Sequence, residues 1–195
     1  MIEEQTTPTP APKRGVRLST QIVIWVVLMG LLVLVGLGLK KAQNPIISIG
    51  SAVPDFPLEM FEGYSYQGAS KVNFSDLQGK VVVINFWASW CKPCEQEAAE
   101  LEEAWRYYEE DGEVVFLGIA WTDTPANAAG YLERFDITYP NGPDLGSRIS
   151  AIFNRNLGVP ETYFIDRNGV LRNIKIGPFT SVQEIQATIN PLLAE

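Results

Sequence analysis

A chain of 195 residues with 46% apolar content holds enough material for one domain with a real hydrophobic core plus a tail or anchor. Its formal charge of −8 and lack of any basic cluster argue against nucleic-acid binding, which needs grouped Lys and Arg to neutralise phosphates. With two cysteines and no histidine, it also lacks the ligand set of a structural zinc site.

In chain order, Thr6 to Pro12 is a Thr/Pro/Ala stretch with too little apolar content to pack, so residues 1–20 read as a disordered N-terminal tail. Ile22 to Leu39 is a run of 18 residues without a charge, flanked by Lys13, Arg14 and Arg17 before it and by Lys40 and Lys41 after it. At about 1.5 Å per residue, slightly extended, the run spans a hydrocarbon core of roughly 30 Å, and residues 21–39 are expected to form a transmembrane helix. A cleaved secretory signal is the alternative. The apolar stretch exceeds the usual signal core and ends on two lysines instead of a small-residue cleavage site, which favours an uncleaved anchor. The basic flank at Lys13, Arg14 and Arg17 leans toward an N-terminus inside and an exported C-terminal domain. A domain with no further cysteines tolerates that oxidising space. Residues 40–50 form the expected tether and residues 51–195 the globular domain.

Ala52 to Phe56 and Val72 to Phe74 read as strands of an N-terminal β-hairpin around Gly63 and Gly68. Val81 to Trp87 is a continuous apolar run broken only by Asn85, which suits a central strand covered on both faces. A helix follows, tolerating Pro93 in its first turn and ending at Asp111-Gly112. At about 100° per residue, Cys94, Ala98, Leu101, Trp105 and Tyr108 share one sheet-facing stripe, with Cys91 at the exposed tip. Val114 to Ala120 is a second buried strand, and Thr124-Pro125 caps a helix ending near Phe135. Thr162 to Ile165 and Val170 to Ile176 form a hairpin through Asn168-Gly169, and Thr180 or Ser181 caps a last helix. Parallel strands with crossover helices, then an antiparallel hairpin and a helix, describe an α/β thioredoxin-like fold with an added N-terminal β-hairpin, preceded by one transmembrane helix.

Both cysteines lie in Trp90-Cys91-Lys92-Pro93-Cys94, at the end of a strand and the start of a helix. There, backbone N–H groups and the helix dipole stabilise a thiolate, and the pair is suited to disulfide exchange. Covalent haem attachment needs a histidine where Glu95 stands. A purely structural bridge across so short a loop would constrain the unfolded chain little.

Three motifs, Val82 to Cys94, Gly158-Val159-Pro160-Glu161-Thr162-Tyr163-Phe164-Ile165-Asp166, and Ala52-Val53-Pro54-Asp55-Phe56, give a resemblance to membrane-anchored thiol-disulfide oxidoreductases of the TlpA, ResA and CcmG (DsbE) type, covering about Gly50 to Leu193. The resemblance implies a redox-active Cys91–Cys94 pair as the only reactive group, with no separate cofactor or metal. It also implies a cis Pro160 against the disulfide. Lacking an N–H, Pro160 leaves the preceding main chain, at Val159, free to pair with a substrate strand. Glu97 matches a family carboxylate; partial burial would raise its pKa and suit it to exchange a proton with Cys94. Typical thioredoxins carry a buried Asp where Asn85 stands, so the acceptor here must lie elsewhere. Trp87 is expected to pack inside and Trp90 to form an apolar rim for a partner. Lys92 between the cysteines tunes the site at most.

The implied activity is reduction of disulfides in partner proteins such as an apocytochrome c during cytochrome c biogenesis, with a DsbD- or CcdA-type membrane protein as electron donor. The implied location is the bacterial cytoplasmic membrane, with the catalytic domain outside. Two alternatives come from other classes. A peroxiredoxin-like peroxidase shares the Pro54-Asp55-Phe56 start, but its Pro-x-x-x-Thr-x-x-Cys motif is replaced by Ile84 and Ala88 ahead of Cys91. A membrane-tethered, non-catalytic binding module would dock partners without exchange.

Overall fold

The computed structural model describes residues 18–42, 47–155 and 158–194, which divide between two units, 1–44 and 45–195. In the first unit a single helix, α1 (Leu18–Ala42), starts ahead of the expected span and runs through both lysines that close it. Its apolar part, Leu18–Gly36, is 19 residues and long enough to cross a membrane. At about 1.5 Å per residue that is roughly 28 Å, close to the thickness of a hydrocarbon core. The tail expected over Thr6 to Pro12, and part of the tether, lie outside the described residues.

The second unit is built on a five-stranded sheet. Its strands are β3 (Val81–Trp87), β4 (Val114–Ala120), β5 (Asn141–Pro143), β6 (Glu161–Ile165) and β7 (Leu171–Ile176), in the order β5-β4-β3-β6-β7. β3, β4 and β5 are parallel, whereas β6 and β7 run antiparallel to their neighbours. The crossovers are α2 (Lys92–Glu109) and α3 (Pro125–Arg134); a short α4 (Arg148–Ile152) precedes β6, and α5 (Val182–Leu193) closes the chain. A two-stranded hairpin, β1 (Pro57–Glu59) with β2 (Lys71–Asn73), is added ahead of β3.

Because successive strand residues point to opposite faces, β3 divides the core by parity. Val81, Val83 and Trp87 join α2, α3 and α5 on one side. Val82, Ile84 and Phe86 join Phe56, Leu58 and Phe153 on the other. Asn85 therefore enters the face covered by α2, the helix that carries the cysteines.

The first hairpin strand is Pro57–Glu59; Ala52 makes only an isolated bridge to Val170. Pro54 has no N–H for a ladder, so the alternation over Ala52 to Phe56 does not become a strand. β5 was not foreseen. It is an edge strand made of Asn, Gly and Pro, and pairs with β4 at Gly118 to Ala120. Gly118 is required there, since a β-carbon would overlap the Asn141 side chain.

Candidate active site: a disulfide at a helix N-terminus

The β3–α2 junction places both cysteines. Cys91 is the N-cap of α2 in extended conformation, and its sulfur accepts the Cys94 N–H at 3.1 Å. Pro93 sits in the first turn, where its missing N–H costs nothing. The cysteines are joined as a disulfide, with Cα atoms 5.3 Å apart. Aligned N–H groups at this helix end favour a thiolate on Cys91 once the bond is reduced.

Cys91 does not form the exposed tip that the helical pattern suggested: only 3% of its surface is exposed in this oxidised form. The disulfide draws it toward the buried Cys94, and the Val159 carbonyl lies 3.5 Å from its sulfur. The exposed group is its neighbour Trp90, at 56%. Trp90 Nε1 donates to the Thr122 carbonyl at 3.1 Å, and its ring centroid lies 6.2 Å from that of Trp121. Asp123 fixes the same turn by accepting the Ser89 N–H at 2.5 Å, the Ser89 hydroxyl at 2.9 Å and the Thr124 N–H at 2.8 Å. Lys92 turns away to pair with Glu95 at 2.8 Å.

Trp87 is buried, stacked on Tyr131 with centroids 4.4 Å apart, and donates to Asn141 Oδ1 at 2.8 Å. Tyr131 in turn donates its hydroxyl to the Cys94 carbonyl at 2.8 Å, tying α3 to the first turn of α2. The Val159–Pro160 peptide is cis, and the Pro160 carbonyl accepts from Gly177, so the loop is stitched to the end of β7.

Glu97 is buried more completely than its place beside the apolar stripe suggested, with 1% exposed. One oxygen accepts Asn85 Nδ2 at 2.8 Å and the other the Phe179 N–H at 3.0 Å. Asn85 Nδ2 also donates to Thr162 Oγ1 at 3.0 Å. Burial pushes the Glu97 carboxyl up to about 7, against the lowering effect of Asn85, the Phe179 N–H and Lys175. A buried carboxyl titrating near neutrality behind a dithiol is suited to accept or return a proton.

Sequence reasoning missed Asp123, Tyr131, Thr162 and the Phe179 amide, all brought in by tertiary contact. The parity of β3 was the one available clue to the Asn85–Glu97 contact.

A mixed sheet of this order, carrying a Cys-x-x-Cys disulfide at a helix N-terminus beside a cis-proline loop, defines a thioredoxin-like thiol-disulfide oxidoreductase. Comparisons with known proteins agree. The AhpC/TSA family matches residues 49–174. The thiol-disulfide oxidoreductase ResA of Oceanobacillus iheyensis is 31% identical over 181 residues, covering 92% of this chain and 91% of that protein. Among solved structures, a candidate protein disulfide isomerase from Bacteroides thetaiotaomicron superposes with a TM-score of 0.66 at 27% identity, covering 77% of this chain and 92% of that one. A candidate DsbE thiol:disulfide interchange protein from Chlorobium tepidum shares the fold at a TM-score of 0.63 and 24% identity, covering 76% of this chain and 97% of that one. The chain belongs to the AhpC/TSA family and, within it, to the thiol-disulfide oxidoreductases of the ResA type.

Proposed function

We propose that this enzyme sits in the bacterial cytoplasmic membrane with its N-terminus inside and its redox domain outside, and that it reduces disulfides in partner proteins, an apocytochrome c foremost. The observation that carries the reading is the Cys91–Cys94 pair at the N-terminus of α2, with the Val159 carbonyl against its outer sulfur. Motif resemblance to the cytochrome c maturation group supports the substrate, and the apolar helix α1 and its basic N-terminal flank support the location.

In the dithiol form Cys91 is the thiolate. It attacks one sulfur of the partner's disulfide; that S–S bond breaks, the second partner sulfur leaves as a thiolate and takes a proton, and a mixed disulfide remains. Cys94 gives its proton to the Glu97 carboxylate, directly or through water, and attacks the Cys91 sulfur. The partner's other sulfur then leaves and is protonated. Two electrons have passed from the pair to the partner; the Cys94 proton returns through Glu97 to one leaving sulfur, solvent supplies the other, and a DsbD- or CcdA-type membrane donor restores the dithiol as its own thiols become a disulfide. Val159, whose backbone precedes the N–H-less Pro160, pairs with the substrate main chain, and Trp90 supplies apolar contact at the rim.

Cys94→Ala in the full chain tests this scheme. Without the resolving thiol the mixed disulfide persists, and an apocytochrome c is expected in a complex that thiol reductant dissolves. Failure to capture any partner disulfide under those conditions contradicts the scheme.

A further inference from the structure

Arg155 lies five positions before Pro160, outside every motif of the sequence, and has no part in the exchange chemistry above. Its side chain is 2% exposed, and Nε makes a 2.6 Å ion pair with the equally buried Glu161. Nη2 donates to the Gly158 carbonyl. The guanidinium carbon lies 4.2 Å from the centroid of the Phe86 ring and 5.1 Å from that of Trp121. Glu161 also accepts the Tyr163 hydroxyl at 3.0 Å.

One side chain therefore grips Gly158 on one side of the Val159–Pro160 peptide and Glu161 on the other. It also stacks on Trp121, which faces the exposed Trp90. A planar guanidinium can bridge a carbonyl and a carboxylate while lying against aromatic rings; an ammonium or an apolar side chain cannot. Arg155 Nη1 is buried with no partner among the described residues. Leaving a charged donor unpaired costs stability, and a position serving packing alone would be filled at lower cost by an apolar side chain.

We infer that Arg155 is a positioning residue for polypeptide substrates: by clamping Gly158 and Glu161 and backing Trp121, it holds the Val159 main chain and the Trp90 rim in register to receive an extended chain beside the disulfide. The inference rests on the proposed function and deepens it, because it separates recognition of a polypeptide from attack on sulfur. A disulfide too small to reach the Val159 backbone and Trp90 gains nothing from the clamp.

The test uses the full chain in detergent, pre-reduced, in single turnover against two probes. One is glutathione disulfide; the other is an oxidised peptide carrying Cys-x-x-Cys-His with extended flanks. Removing Arg155 alone strands a buried Glu161 charge, so the informative variant is Arg155→Met with Glu161→Gln, which deletes both charges and keeps an acceptor for Tyr163. Arg155→Lys, which keeps the charge and loses the fork, is a second probe. For both variants the half-saturating peptide concentration is expected to rise about tenfold with the limiting rate little changed, while the rate with glutathione disulfide stays within about twofold. Equal losses on both probes, or no loss on either in a variant that melts cooperatively, overturn the inference alone. A wild-type chain that reduces glutathione disulfide but not the peptide overturns the proposed function, and this inference with it.

Discussion

Replacing Glu97 by glutamine should abolish a pH-dependent loss of stability that this carboxyl produces. Burial raises it from the usual 4.5 to about 7 in the folded protein. In the unfolded chain it ionises near its usual value, so between those pH values the native state holds a proton that the unfolded state has released. Unfolding in that range sets a proton free, and stability falls as pH rises. The contribution is fully present below about pH 4.5 and is lost as pH climbs through about 7. At about 1.4 kcal/mol per pH unit, the interval from 4.5 to about 7 is worth about 3 kcal/mol. The glutamine side chain would set its N–H₂ against either the Asn85 amide or the Phe179 N–H, but that cost is the same at every pH, so only the slope is informative. The assay is urea unfolding of the oxidised full chain in detergent from about pH 5 to about pH 8, comparing wild type with Glu97→Gln. About 2.5 kcal/mol of the contribution falls between those pH values, so for a urea slope of roughly 2 kcal/mol per molar the difference in midpoint should move by about 1.3 M across the range, wild type losing ground as pH rises. A difference that stays constant from end to end refutes the assignment of a neutral-range titration to Glu97.

Asn85→Ala removes a donor that favours the ionised carboxylate, so the Glu97 midpoint should rise above about 7; carbon-13 NMR of the carboxyl in the oxidised protein checks this, and an unchanged or lower midpoint contradicts it. Asp123→Ala strips acceptors from two Ser89 donors and the Thr124 N–H, and should cost about 1–3 kcal/mol in urea unfolding, with faster hydrogen exchange at the Ser89 amide. A loss below about 0.5 kcal/mol would show that the turn is held by other contacts.

The parts of this fold that are legible in the sequence are those whose local chemistry and burial agree. Val81–Trp87 and Val114–Ala120 are apolar throughout and become fully buried strands. Thr124 caps α3 and Ser181 caps α5 with side-chain bonds that their residue types announce. By contrast, β1 opens on Pro57 and β5 is Asn-Gly-Pro, and both exist because a neighbouring strand edge receives them. At the site, strand-to-helix placement of the cysteines is a local matter and was readable. The burial of Cys91 was not, because it depends on Val159, 68 residues downstream. Glu97 sits near the edge of the helical stripe, which points to partial burial; its complete enclosure comes from Asn85, which the parity of β3 sets on the α2 face, and from the Phe179 segment, which no periodicity links to α2. The Arg155–Glu161 contact lay beyond reach for the same reason, since a charged residue in a loop and another at the start of β6 give no local sign that they will be buried together.

The measurement that bears most directly on the central claim is a redox titration of the full chain in thiol–disulfide buffers, read by alkylation of the cysteines and mass analysis. A reversible two-electron couple is expected, its oxidised-to-reduced ratio changing tenfold per roughly 30 mV, with Cys91 alkylated ahead of Cys94 in the reduced form. A pair that shows no reversible transition, or a Cys94 that reacts first, would contradict the account.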